Sequence, residues 1–201
     1  METHMEKVSY IIGRQIGSDF VAQGIEINSE IFANAVTSAM KGEESQLSAE
    51  ETQKTMNEFQ EHMARQLAEA ANKLAEEGRA YLEKNKSEEG VTTTASGLQY
   101  KVLESGSGAT PSADSTVEVH YEGKLIDGTV FDSSIQRGQT IQFPVGGVIK
   151  GWTEALQLMK EGDTWELTIP SELAYGEHGA GAKIPPHSTL VFKVQLIKAN
   201  V

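Results

Sequence analysis

The 201-residue sequence contains no cysteine, and this absence removes several kinds of chemistry at once. Without thiols the chain has no disulfide framework, no thiolate metal site and no cysteine nucleophile. Its five histidines show no metal-ligand spacing. We therefore expect neither a metal nor a cofactor.

Basic residues and long apolar runs are also scarce. Seventeen Lys and Arg stand against 29 Asp and Glu, and the net charge of -12 disfavours nucleic acid and anionic lipid as partners. No run is long enough to span a membrane, and the N-terminus lacks the basic-then-apolar profile of a signal peptide. The sequence thus predicts a cytoplasmic protein, or a periplasmic one if a leader was removed before the numbering begins.

Two amphipathic helices are predicted in residues 1–45. Apolar residues recur every three or four positions before Gly24, and again between Asn28, which can cap a helix, and Gly42. A unit of about 40 residues seldom closes a core without metal, disulfide or a partner chain. We therefore expect a homodimer whose interface is formed by Val8, Ile12, Ile16, Phe20, Ile31, Phe32 and Val36.

A third, long helix should begin at Ser48, which can form a capping box with Glu51, and should continue to about Lys86. Its apolar stripe thins toward the C-terminal end. We therefore interpret its far half as a partly solvated stalk. Residues 46–90 are predicted to form this connecting helix and the start of a linker.

The composition changes near residue 90, which marks a second domain at 91–201. All five prolines and both tryptophans follow position 110, and 13 of the 19 glycines follow position 90. Apolar residues alternate at 98–102, 117–121, 165–169 and 190–196, which predicts half-buried antiparallel strands. One short helix, with Trp152, Leu156 and Met159 on one face, could plug a curved sheet. The fold class is α+β.

Three segments in this second domain carry a family resemblance. "VEVHYEGKLIDGTVFDSSIQRG", "VIKGWTEAL" and "AYGEHGAGAKIPPHSTLVFKVQL", in that order, resemble the FKBP-type peptidyl-prolyl cis-trans isomerases over roughly residues 95–199. The helical first half is similar to the bacterial macrophage infectivity potentiator-like subfamily. That resemblance implies a V-shaped homodimer held by the N-terminal helices, and an isomerase domain in which an antiparallel sheet wraps around one short helix.

The resemblance also implies the site. Tyr121, Asp132 and Tyr175 would be catalytic, with Asp132 facing the amide carbonyl while Arg137 and Tyr121 hold it. The Ile149 backbone N–H and the Tyr175 hydroxyl would bind substrate carbonyls. The substrate-binding residues would be Phe131, Arg137, Ile141, Phe143, Val148, Ile149, Trp152, Ile184 and Phe192.

The residues alone leave other interpretations open. Phe131, Asp132 and Arg137 fall in a stretch of small polar residues that indicates the tip of a loop, where Asp132 and Arg137 could be a surface ion pair. Trp152 and Phe192 could be ordinary core. Ile141, Ala180 and Lys183 depart from the family pattern.

Three functions remain as hypotheses. The first is a folding catalyst that acts on proline-containing peptides and unfolded protein chains, with the macrolides rapamycin and tacrolimus as inhibitors. The second is a non-catalytic chaperone whose two arms hold clients, and the third is an adaptor that docks a fixed partner. The set of Tyr121, Asp132, Ile149, Trp152, Tyr175 and Phe192 favours the catalyst.

Overall fold

The computed structural model describes residues 1–201, which divide into two compact units, Met1–Phe59 and Gln60–Val201. The first unit contains α1 (His4–Ala22), α2 (Ser29–Met40) and the first turns of α3 (Ala49–Asn85). The second contains the rest of α3 and the whole β-sheet. The predicted α+β class is confirmed.

The helices begin and end at the residues that the sequence indicated. The Asn28 side chain accepts hydrogen bonds from the first backbone N–H groups of α2. Ser48 and Glu51 form the reciprocal capping box before α3. Gly24 and Gly42 adopt the left-handed conformation just past α1 and α2, where a side chain would be strained.

The apolar residues of α1 and α2 find little cover within their own unit. Neither helix contains a single buried residue. Phe20 and Phe32 pack edge to face across the helix pair, with ring centroids 5.7 Å apart. By contrast, 54% of Ile12 and 67% of Ile31 remain exposed. This exposure agrees with the core-size argument, since a unit of this size is too small to bury the apolar stripes of its helices by itself.

The sheet is antiparallel throughout, in the order β1-β2-β6-β7-β3-β4, and β5 also pairs with β3. The alternating segments predicted as strands are all strands, whereas β1, β4 and β5 were not predicted because they are short. The bounds are β1 (Val91–Thr93), β2 (Gln99–Glu104), β3 (Thr116–Leu125), β4 (Val130–Ser133), β5 (Ile141–Pro144), β6 (Thr164–Ile169) and β7 (Leu190–Lys198).

Two short helices accompany the sheet, α4 (Ser134–Arg137) and α5 (Lys150–Leu156). Apolar residues at alternate positions of β3, β6 and β7 are buried together with Leu156 and Trp152 from α5. Met159 is also fully buried, although it lies beyond the end of α5. The core therefore forms between one helix and one face of the sheet. This agrees with the alternating apolar pattern of the strands and the helical spacing of Trp152 and Leu156.

The far half of α3, interpreted from the sequence as a partly solvated stalk, is mostly exposed, but its last turns also contact residues of the sheet region. Gly78 is buried, and a Cβ at this position would lie 2.5 Å from the Thr189 hydroxyl. The Asn85 side chain donates to the Gln99 side chain at 2.8 Å, and Gln99 donates to the Leu82 carbonyl at 2.9 Å. Small and polar residues make this contact, so a search for large apolar side chains could not find it.

Candidate active site

Tyr121 lies at a gap in the sheet. Strands β5 and β4 pair with the same side of β3, but they leave Tyr121 between them without a strand partner on that side. The Ser134 hydroxyl fills the gap: it accepts from the Tyr121 N–H at 2.8 Å and faces the Tyr121 carbonyl at 3.3 Å. Ser134 is only 1% exposed, so this bond is shielded from water.

A β-bulge in β4 explains why the neighbouring residues Phe131 and Asp132 both line one pocket. Gly123 pairs with Asp132 and Lys124 pairs with Val130, so Phe131 is an extra residue with no partner on β3. In a regular strand, successive side chains point to opposite faces, whereas a bulge re-aims one of them. The expectation of a loop tip was wrong, because this segment is the edge strand β4 followed by the single turn of α4.

Gly123 provides the space that the bulge requires. A Cβ at this position would lie 2.6 Å from the rings of both Phe131 and Phe192. Because Gly123 has no side chain, the two rings can pack against its backbone and contact each other edge to face, with centroids 5.5 Å apart. No sequence pattern singled out Gly123, since its role depends on two rings that are remote along the chain.

Asp132 accepts hydrogen bonds from the Tyr121 hydroxyl and the Arg137 guanidinium. The guanidinium also lies 3.3 Å from the Tyr121 oxygen. Burial acts to raise the pKa of Asp132, but these two bonds and the charge of Arg137 outweigh it and hold the pKa below its usual value. Burial first, and then the bond to Asp132, raise the pKa of Tyr121. Asp132 is thus a fixed anion beside a neutral phenol.

The pocket in front of this group has a volume of about 390 Å³ and is mostly aromatic and aliphatic. The ring of Trp152 stands perpendicular to those of Tyr121, Phe143 and Phe192, at centroid distances of 5.4, 5.9 and 5.3 Å. Such edge-to-face pairs are each worth about 0.5–1.5 kcal/mol beyond area burial, so these contacts stabilise the arrangement of the four rings. The wall consists of Tyr121, Phe131, Asp132, Phe143, Gly147, Val148, Ile149, Trp152, Tyr175 and Phe192.

Two hydrogen-bonding groups of the wall are free. The Ile149 N–H precedes α5 and takes part in no hydrogen bond within the chain. The Tyr175 side chain is 39% exposed, and its hydroxyl likewise has no partner in the chain. A ligand in the pocket can use both groups without breaking an existing bond.

Most of the predicted site residues line this pocket. Arg137 does not line it but forms an ion pair with Asp132, which does. Ile141 and Ile184 do not reach the wall. Ile184 is buried in the core, and Ile141 packs against the core from β5. Two residues were not predicted from the sequence: Gly147, which lines the pocket, and Ser134, which bonds the Tyr121 backbone. For Ser134 the one available sequence signal was the Ser-Ser pair that follows Asp132.

The family model for the FKBP-type peptidyl-prolyl cis-trans isomerase matches residues 108–197, and the model for the domain amino-terminal to that isomerase matches residues 5–102. The chain is 46% identical to the FKBP-type 22 kDa peptidyl-prolyl cis-trans isomerase of Escherichia coli, over 98% of this chain and 96% of that one. The chain belongs to the FKBP-type peptidyl-prolyl cis-trans isomerases. It is an enzyme of that class, as the sequence motifs implied.

Two further similar proteins match nearly the whole length of this chain. The outer membrane protein MIP of Legionella longbeachae is 44% identical over 100% of this chain and 88% of its own. The crystal structure of FkpA from Escherichia coli matches with a TM-score of 0.76 and 36% identity, over 98% of this chain and 97% of that one. The resemblance to the macrophage infectivity potentiator-like subfamily is thereby confirmed.

These relatives do not support the cytoplasmic location expected from the sequence, since one is named an outer membrane protein. No helix of this chain is long and apolar enough to cross a membrane.

Proposed function

We propose that the aromatic pocket binds an Xaa-Pro peptide and lowers the barrier to rotation about its peptide bond. This barrier, about 18–20 kcal/mol, arises from the partial double-bond character of the amide, which separates charge between oxygen and nitrogen. A pocket that excludes water favours the twisted amide, in which that charge separation is lost. The apolar wall around Trp152 is the observation that carries this proposal.

Asp132 contributes through its charge in this mechanism. A fixed anion near the substrate carbonyl destabilises the negative oxygen of the planar amide more than the less polarised oxygen of the twisted one. The lowered pKa of Asp132 keeps the anion in place without proton transfer. The free Ile149 N–H and Tyr175 hydroxyl hold neighbouring carbonyls of the peptide.

An assay of cis-to-trans relaxation tests this mechanism. The full chain should accelerate relaxation of an apolar-Pro peptide, and rapamycin or tacrolimus should inhibit it by occupying the pocket. Asp132→Val should lower kcat/KM by about ten- to a hundredfold, since it removes an electrostatic contribution to the transition state. Asp114→Val is the matched control, because Asp114 is an exposed acid outside the pocket. Equal activity of the two folded variants would contradict the role given to Asp132.

The exposed apolar residues of the first unit favour a second role, in which a homodimer holds unfolded client chains. Ile12, Ile31 and Val36, on the apolar faces of α1 and α2, are 54%, 67% and 44% exposed, and grouped apolar exposure on a soluble protein marks an interaction surface. A symmetric pair of these faces would cover Val8, Ile12, Ile16, Phe20, Ile31, Phe32 and Val36. Two pockets joined in this way would act on one unfolded chain at a raised effective concentration.

A further inference from the structure

Lys183 lies on the loop that carries Tyr175, but it is not part of the pocket wall. This loop folds back on itself, because Ala180 and Ile184 exchange two backbone hydrogen bonds, with N···O distances of 2.8 and 3.2 Å. Gly179, with a φ of +63°, permits the turn, since a Cβ there would collide with the Ile184 carbonyl. The segment is compact, so a tether at one residue fixes its neighbours.

The Lys183 side chain reaches from this loop to strand β4. Its Nζ donates to the Phe131 carbonyl oxygen at 3.1 Å. Phe131 is the extra residue of the bulge, without a partner on β3, and β4 has no strand on its other side. The ammonium thus supplies a hydrogen bond that the sheet leaves open, and such charge-assisted bonds are about twice as strong as neutral ones.

The two segments that this bond joins both line the pocket. Phe131 lines it from β4, and Tyr175 lines it from the loop of Lys183. Tyr175 is also the residue whose free hydroxyl can bind the peptide. A change in the separation of loop and strand would therefore move that hydroxyl relative to the Phe131 ring.

We propose that Lys183 is a positioning residue that ties the Tyr175 loop to the bulge at Phe131 and so sets the width of the pocket. This inference rests on the proposed function, since it takes the pocket as the peptide site. By fixing the position of Tyr175, the hydrogen bond of Lys183 favours binding of the peptide equally in its planar and twisted forms. Its loss raises KM and leaves kcat nearly unchanged, which is the signature of lost uniform binding.

Three variants test the tie. Lys183→Met removes the donor and keeps the chain length, Lys183→Arg retains a donor, and Lys160→Met removes an exposed lysine whose side chain makes no bond. Lys183→Met should raise KM for a short proline peptide about three- to tenfold, which is less than the full loss of a hydrogen bond to a charged donor because the bond acts on the peptide only through the loop. Lys183→Arg should restore KM, and Lys160→Met should leave it unchanged.

Amide hydrogen exchange gives a second readout that needs no substrate. Residues 176–184 should exchange faster in Lys183→Met than in the unaltered chain, and Lys160→Met should show no such change. The proposal is overturned if Lys183→Met matches Lys160→Met, if Lys183→Arg fails to restore KM, or if exchange quickens while KM stays constant. Absence of turnover in the unaltered chain would instead overturn the proposed function of the pocket.

Discussion

Asp132 carries the charge on which the proposed chemistry depends, and its surroundings hold that charge fixed. Tyr121 and Arg137 donate to its two oxygens, and the bulge at Phe131 turns the carboxylate toward the pocket. An exposed Asp-Arg pair is usually worth only about 0–1 kcal/mol in stability. The pair is thus better understood as orienting an anion than as holding the fold together.

Asp132 should stay ionised over the neutral and mildly acidic range, so isomerase activity should not change with pH there. Its pKa lies below the ordinary value of 3.8, so the carboxylate remains charged wherever the protein is assayed above about pH 5. Measured without a coupling protease, kcat/KM should stay flat between about pH 5 and 8. A step near pH 6.5 would assign the controlling ionisation to a histidine instead.

The same lowered pKa links Asp132 to stability in a defined direction. A carboxyl whose pKa is lower in the folded state stabilises the fold above its unfolded pKa, and this contribution is lost as the pH falls through the folded pKa. The difference in unfolding free energy between the unaltered chain and Asp132→Asn should therefore shrink as the pH falls from about 4 to 2. A difference that grows on acidification would show that the carboxyl is not stabilised as an anion.

At the scale of elements, the second unit depends on contacts that single stretches of sequence do not reveal. The last turns of α3 cover Gln99 at the start of β2 and Thr189 just before β7, which are only 3% and 4% exposed although both are polar. The gap between β4 and β5 is filled by a serine hydroxyl rather than by a strand. Both features join residues that are far apart along the chain.

Gly78→Ala tests the contact between α3 and the sheet. Alanine is favoured over glycine in a helix by about 1 kcal/mol, but here its Cβ would press on the buried Thr189 hydroxyl, and such overpacking costs about 1–3 kcal/mol. The substitution should lower the unfolding free energy in the unaltered chain. In a Thr189→Ala background the clash is relieved, so the same substitution should cost less or become stabilising.

Chemical denaturation of the four proteins in this double-mutant cycle gives the coupling directly. An additive cycle would mean that Gly78 and Thr189 are not in contact.

At the scale of the molecule, the two units should separate in assembly and activity. Residues 60–201 contain their own sheet, core and pocket, so this fragment should be a monomer that retains activity on a short proline peptide. On refolding of a proline-limited protein it should lose much of its rate, because it lacks the helices α1 and α2 that are proposed to hold clients. The fragment 92–201 should behave alike but unfold more readily, since it leaves Gln99 without Leu82 and Asn85.

Light scattering and refolding kinetics on the full chain and both fragments check this division. A dimeric fragment, or a fragment that refolds proteins as fast as the full chain, would contradict the assembly and client-holding roles proposed for α1 and α2. Ile12→Glu with Ile31→Glu in the full chain should likewise give monomers, because charges at a desolvated interface are costly.

The fold class, the helix caps, the long strands and most residues of the pocket wall could be predicted from the sequence. Caps, periodicity and ordered motifs are local signals, and Ser48 with Glu51 or the alternation in β7 needs no distant partner to be recognised. Four features became visible only in the folded chain: the bulge at Phe131, the positions of Ile141 and Ile184 outside the pocket wall, the burial of Gln99 by α3, and the hydrogen bond from Lys183 to β4. Each of these depends on how distant backbone segments approach one another, and short-range patterns carry no information about that approach.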